Sequence, residues 1–228
     1  MCGIAGIISP SPGAVSMQQL KKMTDAIAHR GPDGEDFWIN SSNTAGLGHR
    51  RLAIIDLSPE AAQPMHYHDR YTIVYNGEIY NYIELKEGLQ KKGYTFQTRS
   101  DTEVILAAYA CWKDDCLQYL EGMFAFAIWD EQEKTLFAAR DRFGEKPFYF
   151  ITDKDNAFWF ASEMKALYAV GFARERNEQL LLLFLTNGFT DTPANPSLTF
   201  DKKIYQLPAA SFLYFSNAKK LTEPEIRR

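Results

Sequence analysis

The chain has 228 residues, of which 46% are hydrophobic, 14% aromatic and 24% charged, with a formal net charge of -4. This length and mixture describe one globular domain with a substantial core and exclude a disordered chain. The acidic balance argues against nucleic acid as main partner, and the longest apolar run, Leu180 to Leu185, falls far short of the ~20 residues of a membrane span.

The first strand signal is Ile4 to Ile8, stopped by Ser9-Pro10-Ser11-Pro12-Gly13. Ser16 with Gln19 three residues on predicts a capped helix start, and Leu20, Met23 and Ile27 place an apolar stripe at helical spacing. His29-Arg30-Gly31-Pro32-Asp33-Gly34 breaks that helix. Asn81 with Glu84 and Ser100 with Glu103 repeat the capping spacing ahead of helices over 82–92, ended by Gly93, and 101–112. Short strands are expected at Phe37 to Ile39, Gly46 to His49, Leu52 to Ile55, Thr72 to Tyr75 and Tyr94 to Gln97. Clearer ones follow at Met123 to Trp129, Thr135 to Ala139, Pro147 to Ile151 and Ala157 to Ala161, joined by polar turns as hairpins. In Phe124-Ala125-Phe126-Ala127-Ile128-Trp129 both alternating faces are apolar, so the strand needs cover on both sides. Two stacked antiparallel sheets with helices outside meet that demand, which predicts an α+β fold, a four-layer α/β/β/α sandwich. Thr190 to Pro196 reads as loop, Ile204 to Leu207 and Ser211 to Phe215 as last strands, and 216–228 as a polar linker after a domain over 2–215.

The N-terminus has no basic segment followed by an apolar region, so the cytoplasm is the default location. Three cysteines form an odd set that suits a reducing compartment. Cys111 lies in an apolar helical stretch and reads as a small hydrophobe. Cys111, Cys116, His66 and His68 match no usual zinc spacing, so no metal site is expected.

Cys2 carries the most specific chemical hint. Loss of Met1 would leave one residue with a thiol nucleophile and an α-amine titrating near pKa ~8, able to take the thiol proton. A second-position cysteine can equally be chance, so the reading needs partners: oxyanion donors and groups for a charged substrate. Tyr75-Asn76-Gly77-Glu78 reads as an Asn-Gly turn, serving either as an ordinary hairpin or as a place where the Gly77 N–H and the Asn76 amide converge. Arg50-Arg51 offers a carboxylate clamp or plain surface charge, and Ser100-Asp101-Thr102-Glu103 a helix cap or an acidic site.

Taken together and in order, Met1 to Gly6, His29 to Asp33, Gly48 to Asp56, Gln63 to Met65, Asn76 to Asn81, Ser100 to Glu103, Gly122 to Ala127, Arg140 to Gly144 and Ala161 to Leu167 resemble one family along nearly the whole chain. It is the glutaminase domain of class II glutamine amidotransferases, N-terminal-nucleophile hydrolases, in the asparagine synthetase branch. The resemblance implies Cys2 as nucleophile with its own α-amine as base, and Asn76 with the Gly77 N–H as oxyanion hole. It implies further that Arg51 binds the α-carboxylate of glutamine and that Asp101 and Glu78 receive its α-ammonium. Leu52, Ile54 and Ile55 would line that pocket, and Arg30 would support the loop near Cys2. The implied reaction is hydrolysis of the glutamine side-chain amide through a thioester, releasing ammonia and glutamate.

No cofactor is expected in this chain. ATP and magnesium belong to the family's C-terminal synthetase domain, expected outside this chain because no Gly-rich phosphate loop and no Ser-Gly-Gly segment occurs in it. The expected partners are glutamine and that domain, with no nucleic acid and no membrane; a homodimer stays open. So do an acceptor other than aspartate, a glutamine-binding module without turnover and a hydrolase of another amide, the last disfavoured by the pairing of Arg51 with Asp101. The family usually has a Gly-containing pair where Ala61-Ala62 precedes Gln63, a commonly apolar residue at Glu145 and leucine at Phe148.

Overall fold

A computed structural model describes residues 1–54, 56, 58–192, 194–216 and 225–227. In chain order its main elements are β1 (Gly3–Ile8), α1 (Met17–Ala26), β2 (Gly34–Ile39), β3 (Ala45–Arg51), β4 (Met65–Tyr67), β5 (Tyr71–Ile79), α2 (Tyr82–Lys91) and α3 (Asp101–Trp112). They continue as β6 (Gly122–Asp130), β7 (Thr135–Arg140), β8 (Tyr149–Thr152), β9 (Phe158–Ala161), α4 (Met164–Ala169), α5 (Glu178–Asn187), β10 (Tyr205–Gln206), β11 (Ser211–Ser216) and β12 (Glu225–Arg227). The strands form two six-stranded sheets, ordered β10-β8-β9-β1-β3-β2 and β12-β11-β7-β6-β5-β4. Both are antiparallel, as in β1 against β3 and β5 against β6. No helix among the described residues is long and apolar enough to cross a membrane.

The apolar pattern stacks these elements into four layers. Ile4, Leu47, Val74, Ala127, Trp129 and Phe160 meet between the two sheets. Outside the first sheet, Ala5 and Ile7 pack on Leu20, Met23 and Ile27 around α1 and on Ala166 and Leu167 of α4. Outside the second, Phe126, Ile128 and Phe137 pack on α3 through Ile105, Ala108 and Tyr109. The doubly apolar β6 is thus covered on both faces, Ala125, Ala127 and Trp129 by the opposing sheet and Phe124, Phe126 and Ile128 by helices. Each fully buried side chain of this size contributes roughly 1.5–3 kcal/mol of hydrophobic stabilisation. The predicted sandwich is the observed one.

Local signals fare unevenly. Ser16 and Gln19 form the expected reciprocal capping box. At Asn81 the side chain instead donates to the Tyr119 carbonyl and accepts from the Glu121 N–H. Ser100 caps α3 by accepting from the Thr102 N–H, while Glu103 turns away to accept from the Gln97 and Thr98 N–H groups. Tyr94 to Gln97, where a strand was expected, is irregular and lies outside both sheets. Gly46 to His49 continues through Arg51 as one strand, and residues 52–54, expected as strand, are irregular. Ala61 ends a short 3-10 turn and Ala62 has φ -65, so this chain needs no glycine there. Within 216–228, read as linker, Ser216 closes β11 and Glu225–Arg227 pairs with it as an edge strand; 217–224 and 228 lie outside the described residues.

Candidate active site

Cys2 stands directly before β1, a central strand of the first sheet. Ser162 fixes that strand's start: Ile4 N–H donates to its Oγ at 3.0 Å, and its own N–H donates to the Ile4 carbonyl at 2.9 Å. The Cys2 carbonyl accepts from Arg30 Nε at 2.9 Å, and Arg30 Nη1 pairs with Glu163 at 3.0 Å. Gly31 lets this segment cross β3, since a Cβ there would lie 2.3 Å from the Arg50 carbonyl carbon.

The thiol rests on the chain just past β3, accepting from the Leu52 N–H at 3.3 Å and donating to the Leu52 carbonyl at 3.5 Å. Burial pushes its pKa up, against the lowering effects of the Leu52 N–H, the N-terminal charge and Arg51. A thiol so held stays protonated at neutral pH and needs a base before it can attack.

Cys2, Arg51, Leu52 and Ile54 line one open cleft with Asn76, Gly77, Glu78 and Asp101. Ile55 lies outside the described residues, and Arg30 sits behind the cleft, against the Cys2 carbonyl. The expected Asn-Gly turn is absent: Asn76 and Gly77 lie inside β5, opposite Ala125 and Phe124 of β6. Phe124 directs both backbone groups toward Asp141, its N–H to Oδ2 and its carbonyl to the Asp141 N–H. With the two-residue period of a strand, the N–H groups of Tyr75, Gly77 and Ile79 all face the other edge. There β4 has ended. Tyr75 N–H donates to Gln63 Oε1 at 2.6 Å and Ile79 N–H to Asp101 Oδ2 at 3.0 Å, leaving the Gly77 N–H between them at the cleft. Glycine is required here because a Cβ would fall 2.2 Å from the Met123 carbonyl oxygen.

Asn76 is 1% exposed, yet its Nδ2 is buried without a hydrogen-bond partner. A native fold rarely wastes such a donor, so the cleft holds one side-chain N–H and one backbone N–H ready for an incoming oxygen. Asp101 supplies the acid, with Oδ2 accepting from Tyr75 OH at 2.8 Å; burial raises its pKa while these hydrogen bonds oppose the rise. Arg51 Nη2 donates to the Asp56 carbonyl at 2.5 Å, which aims the guanidinium across the irregular segment that follows. The cleft brings together a thiol, two donors without a partner, a guanidinium and two carboxylates, a set that can act on an amide of a zwitterionic molecule.

Several contributors escaped sequence reasoning. His49 is buried, its pKa depressed by burial to about 4, so the neutral ring donates from Nε2 to the Tyr75 carbonyl at 3.2 Å and bridges the two sheets. Gln63 and Asp33 act on backbone, the first holding Tyr75 and the second accepting from the Ala53 N–H at 3.0 Å. All three lie in the segments that carried the resemblance, which was the only signal for them. Lys146 also lines the cleft, and no spacing pointed to it.

A family model described as glutamine amidotransferase domain matches residues 1–224. The chain is 43% identical over 198 residues to asparagine synthetase (glutamine-hydrolyzing) 1 of Bacillus subtilis (strain 168), covering 85% of this chain and 31% of that protein. It is 44% identical over 173 residues to asparagine synthetase (glutamine-hydrolyzing) 3 of the same organism, covering 74% and 28%. It therefore spans less than a third of the length of these relatives. Among solved structures, a glutamine phosphoribosylpyrophosphate amidotransferase from B. subtilis shares the fold, with a TM-score of 0.72 at 20% identity over 100% of this chain and 49% of that one.

Proposed function

The chain belongs to the glutamine amidotransferase domain family, and from that premise we propose that it hydrolyses the side-chain amide of glutamine through a cysteinyl thioester on Cys2. It serves as the nitrogen-donating half of an asparagine synthetase-type protein. The observation that carries this reading is the unpaired, buried Asn76 Nδ2 beside the cleft-facing N–H of Gly77, in the cleft that Cys2 lines.

In the proposed sequence Met1 is first removed. The Cys2 amine takes the Sγ proton, and sulfur attacks the amide carbon of glutamine, whose α-carboxylate meets Arg51 and whose α-ammonium meets Asp101 and Glu78. Asn76 Nδ2 and the Gly77 N–H hold the oxygen as it gains negative charge. The Cys2 ammonium returns its proton to the leaving nitrogen, the C–N bond breaks and ammonia departs. Water, deprotonated by the same amine, then cleaves the thioester to glutamate and restores the thiol. The ammonia passes to a C-terminal synthetase domain, which would bind ATP and magnesium to activate aspartate for amidation.

Intact mass reports whether Met1 is lost, and ammonia and glutamate released from glutamine report turnover. Cys2→Ala is expected to abolish both products with the fold retained. Undiminished release from that variant would remove Cys2 from the chemistry.

A further inference from the structure

Tyr75 directly precedes Asn76 on β5, and its side chain serves two environments. The ring packs in the helix-side core of the second sheet, 3% exposed, yet the residue also lines the cleft that Cys2 lines. There its hydroxyl donates to Asp101 Oδ2 at 2.8 Å, and the Ile79 N–H donates to the same oxygen at 3.0 Å. Two donors thus fill Oδ2, while no side chain among the described residues donates to Oδ1. Oδ1 is the oxygen left to a ligand. Burial and the nearby Asp101 and Glu78 carboxylates push the Tyr75 ionisation well up, so at neutral pH its hydroxyl keeps its proton and acts as a donor. Asp101 opens α3, where the unpaired N–H groups of a helix start favour a carboxylate. Burial works against that charge, and the Ile79 and Tyr75 donors offset the penalty.

We propose that Tyr75 is a specificity-determining positioning residue: its hydroxyl pins Asp101 Oδ2 beside the Ile79 N–H, so that Oδ1 meets the α-ammonium of glutamine and the cleft favours amides of free α-amino acids over the same amides without the amine. The inference deepens the glutaminase reading and rests on it. Glu78, the second acid expected at the ammonium, is half-buried, whereas Asp101 is only 5% exposed and its orientation is set by the fold. Turning the Asp101 carboxylate away would break two hydrogen bonds at once, and that resistance is what fixes the amine, and with it the side-chain amide, relative to Cys2.

The test uses Met1-free protein carrying Tyr75→Phe, which removes the hydroxyl and keeps a ring in the core. KM and kcat for glutamine are measured beside the protection of Cys2 from iodoacetamide by glutamate and by glutarate, which is glutamate without its amine. Protection needs no turnover. Tyr75→Phe is expected to raise KM for glutamine and the half-protecting concentration of glutamate about tenfold, with kcat within about twofold of the parent and protection by glutarate unchanged. Asp101→Asn should abolish the preference for glutamate over glutarate, and adding Tyr75→Phe to it should cost nothing further. Equal losses for glutamate and glutarate, additive losses in the double variant, a fall in kcat alone or a parent that prefers neither ligand would overturn the proposal. If the parent releases no ammonia from glutamine while Tyr75→Phe still lowers the preference for glutamate, the glutaminase reading fails and this inference stands. If ammonia is released and the preference ignores Tyr75→Phe, this inference fails alone.

Discussion

The two sides of the cleft are built in different ways. One side is mounted on strands: Asn76 and Gly77 lie within β5, locked by pairing to β6, by the Gln63 and Asp101 side chains along the open edge and by the His49 bond from the facing sheet. The other side, Leu52 to Ile54, has left β3, and among the described residues it is held by Cys2 Sγ on the Leu52 N–H and carbonyl, Asp33 on the Ala53 N–H, Arg51 on the Asp56 carbonyl, and Asp56 on the Ser58 and Arg99 N–H groups. In the proposed reaction Asn76 and Gly77 would serve as oxyanion donors, which must be preorganised, because their worth vanishes if they reorient during reaction.

The largest expected contrast comes from the strand side. Asn76→Ala should lower kcat for glutamine hydrolysis by about 10²–10³, roughly 3–4 kcal/mol, with little change in KM or thermal stability. A change in KM alone would make Asn76 a binding residue and erase the distinction between the two sides.

Next in size is the His49 bridge. Its folded pKa of about 4 lies below the ordinary value of 6.5, so the unfolded chain binds a proton that the folded chain refuses. The stabilisation is fully present above the unfolded pKa and is lost as pH falls from about 6.5 toward about 4, by roughly 3 kcal/mol at most. Urea unfolding at neutral and acid pH should show this loss, and His49→Gln should flatten it. An unchanged slope in that variant would place the acid sensitivity elsewhere.

The smallest effect belongs to the suspended wall. Asp56→Ala removes the acceptor for the Ser58 and Arg99 N–H groups and should raise KM for glutamine by about three- to tenfold, with kcat and Tm close to the parent. A fall in kcat as deep as that of Asn76→Ala would mean that both sides share one rigidity.

The same contrast explains what could be read from sequence. Layering was legible because burial dictates it: the doubly apolar Phe124 to Trp129 demanded a cover on each face and received one. The capping box at Ser16 was legible because both partners lie within one turn. At Asn81 and Ser100 the same spacing placed the helix starts correctly, but no reciprocal box forms, since Asn81 and Glu103 bond backbone groups outside their helices. Asn76-Gly77 carried a turn signal, yet β6 pairs straight through it, and the glycine answers the close approach of the Met123 carbonyl rather than a reversal. Most residues named through resemblance line one cleft, while Gln63 and His49 act through contacts that no local pattern encodes.

The position of β1 has a consequence in the order of synthesis. Its flanking partners are β3, which ends at Arg51, and β9, which begins at Phe158, so the first strand is completed by one made more than a hundred residues later. At translation speeds of about 5–20 residues per second, its second edge stays open for on the order of 10 s after the first residues emerge. The Met1 removal that the proposed function requires can therefore take place on an incomplete sheet, before the cleft around Cys2 has closed.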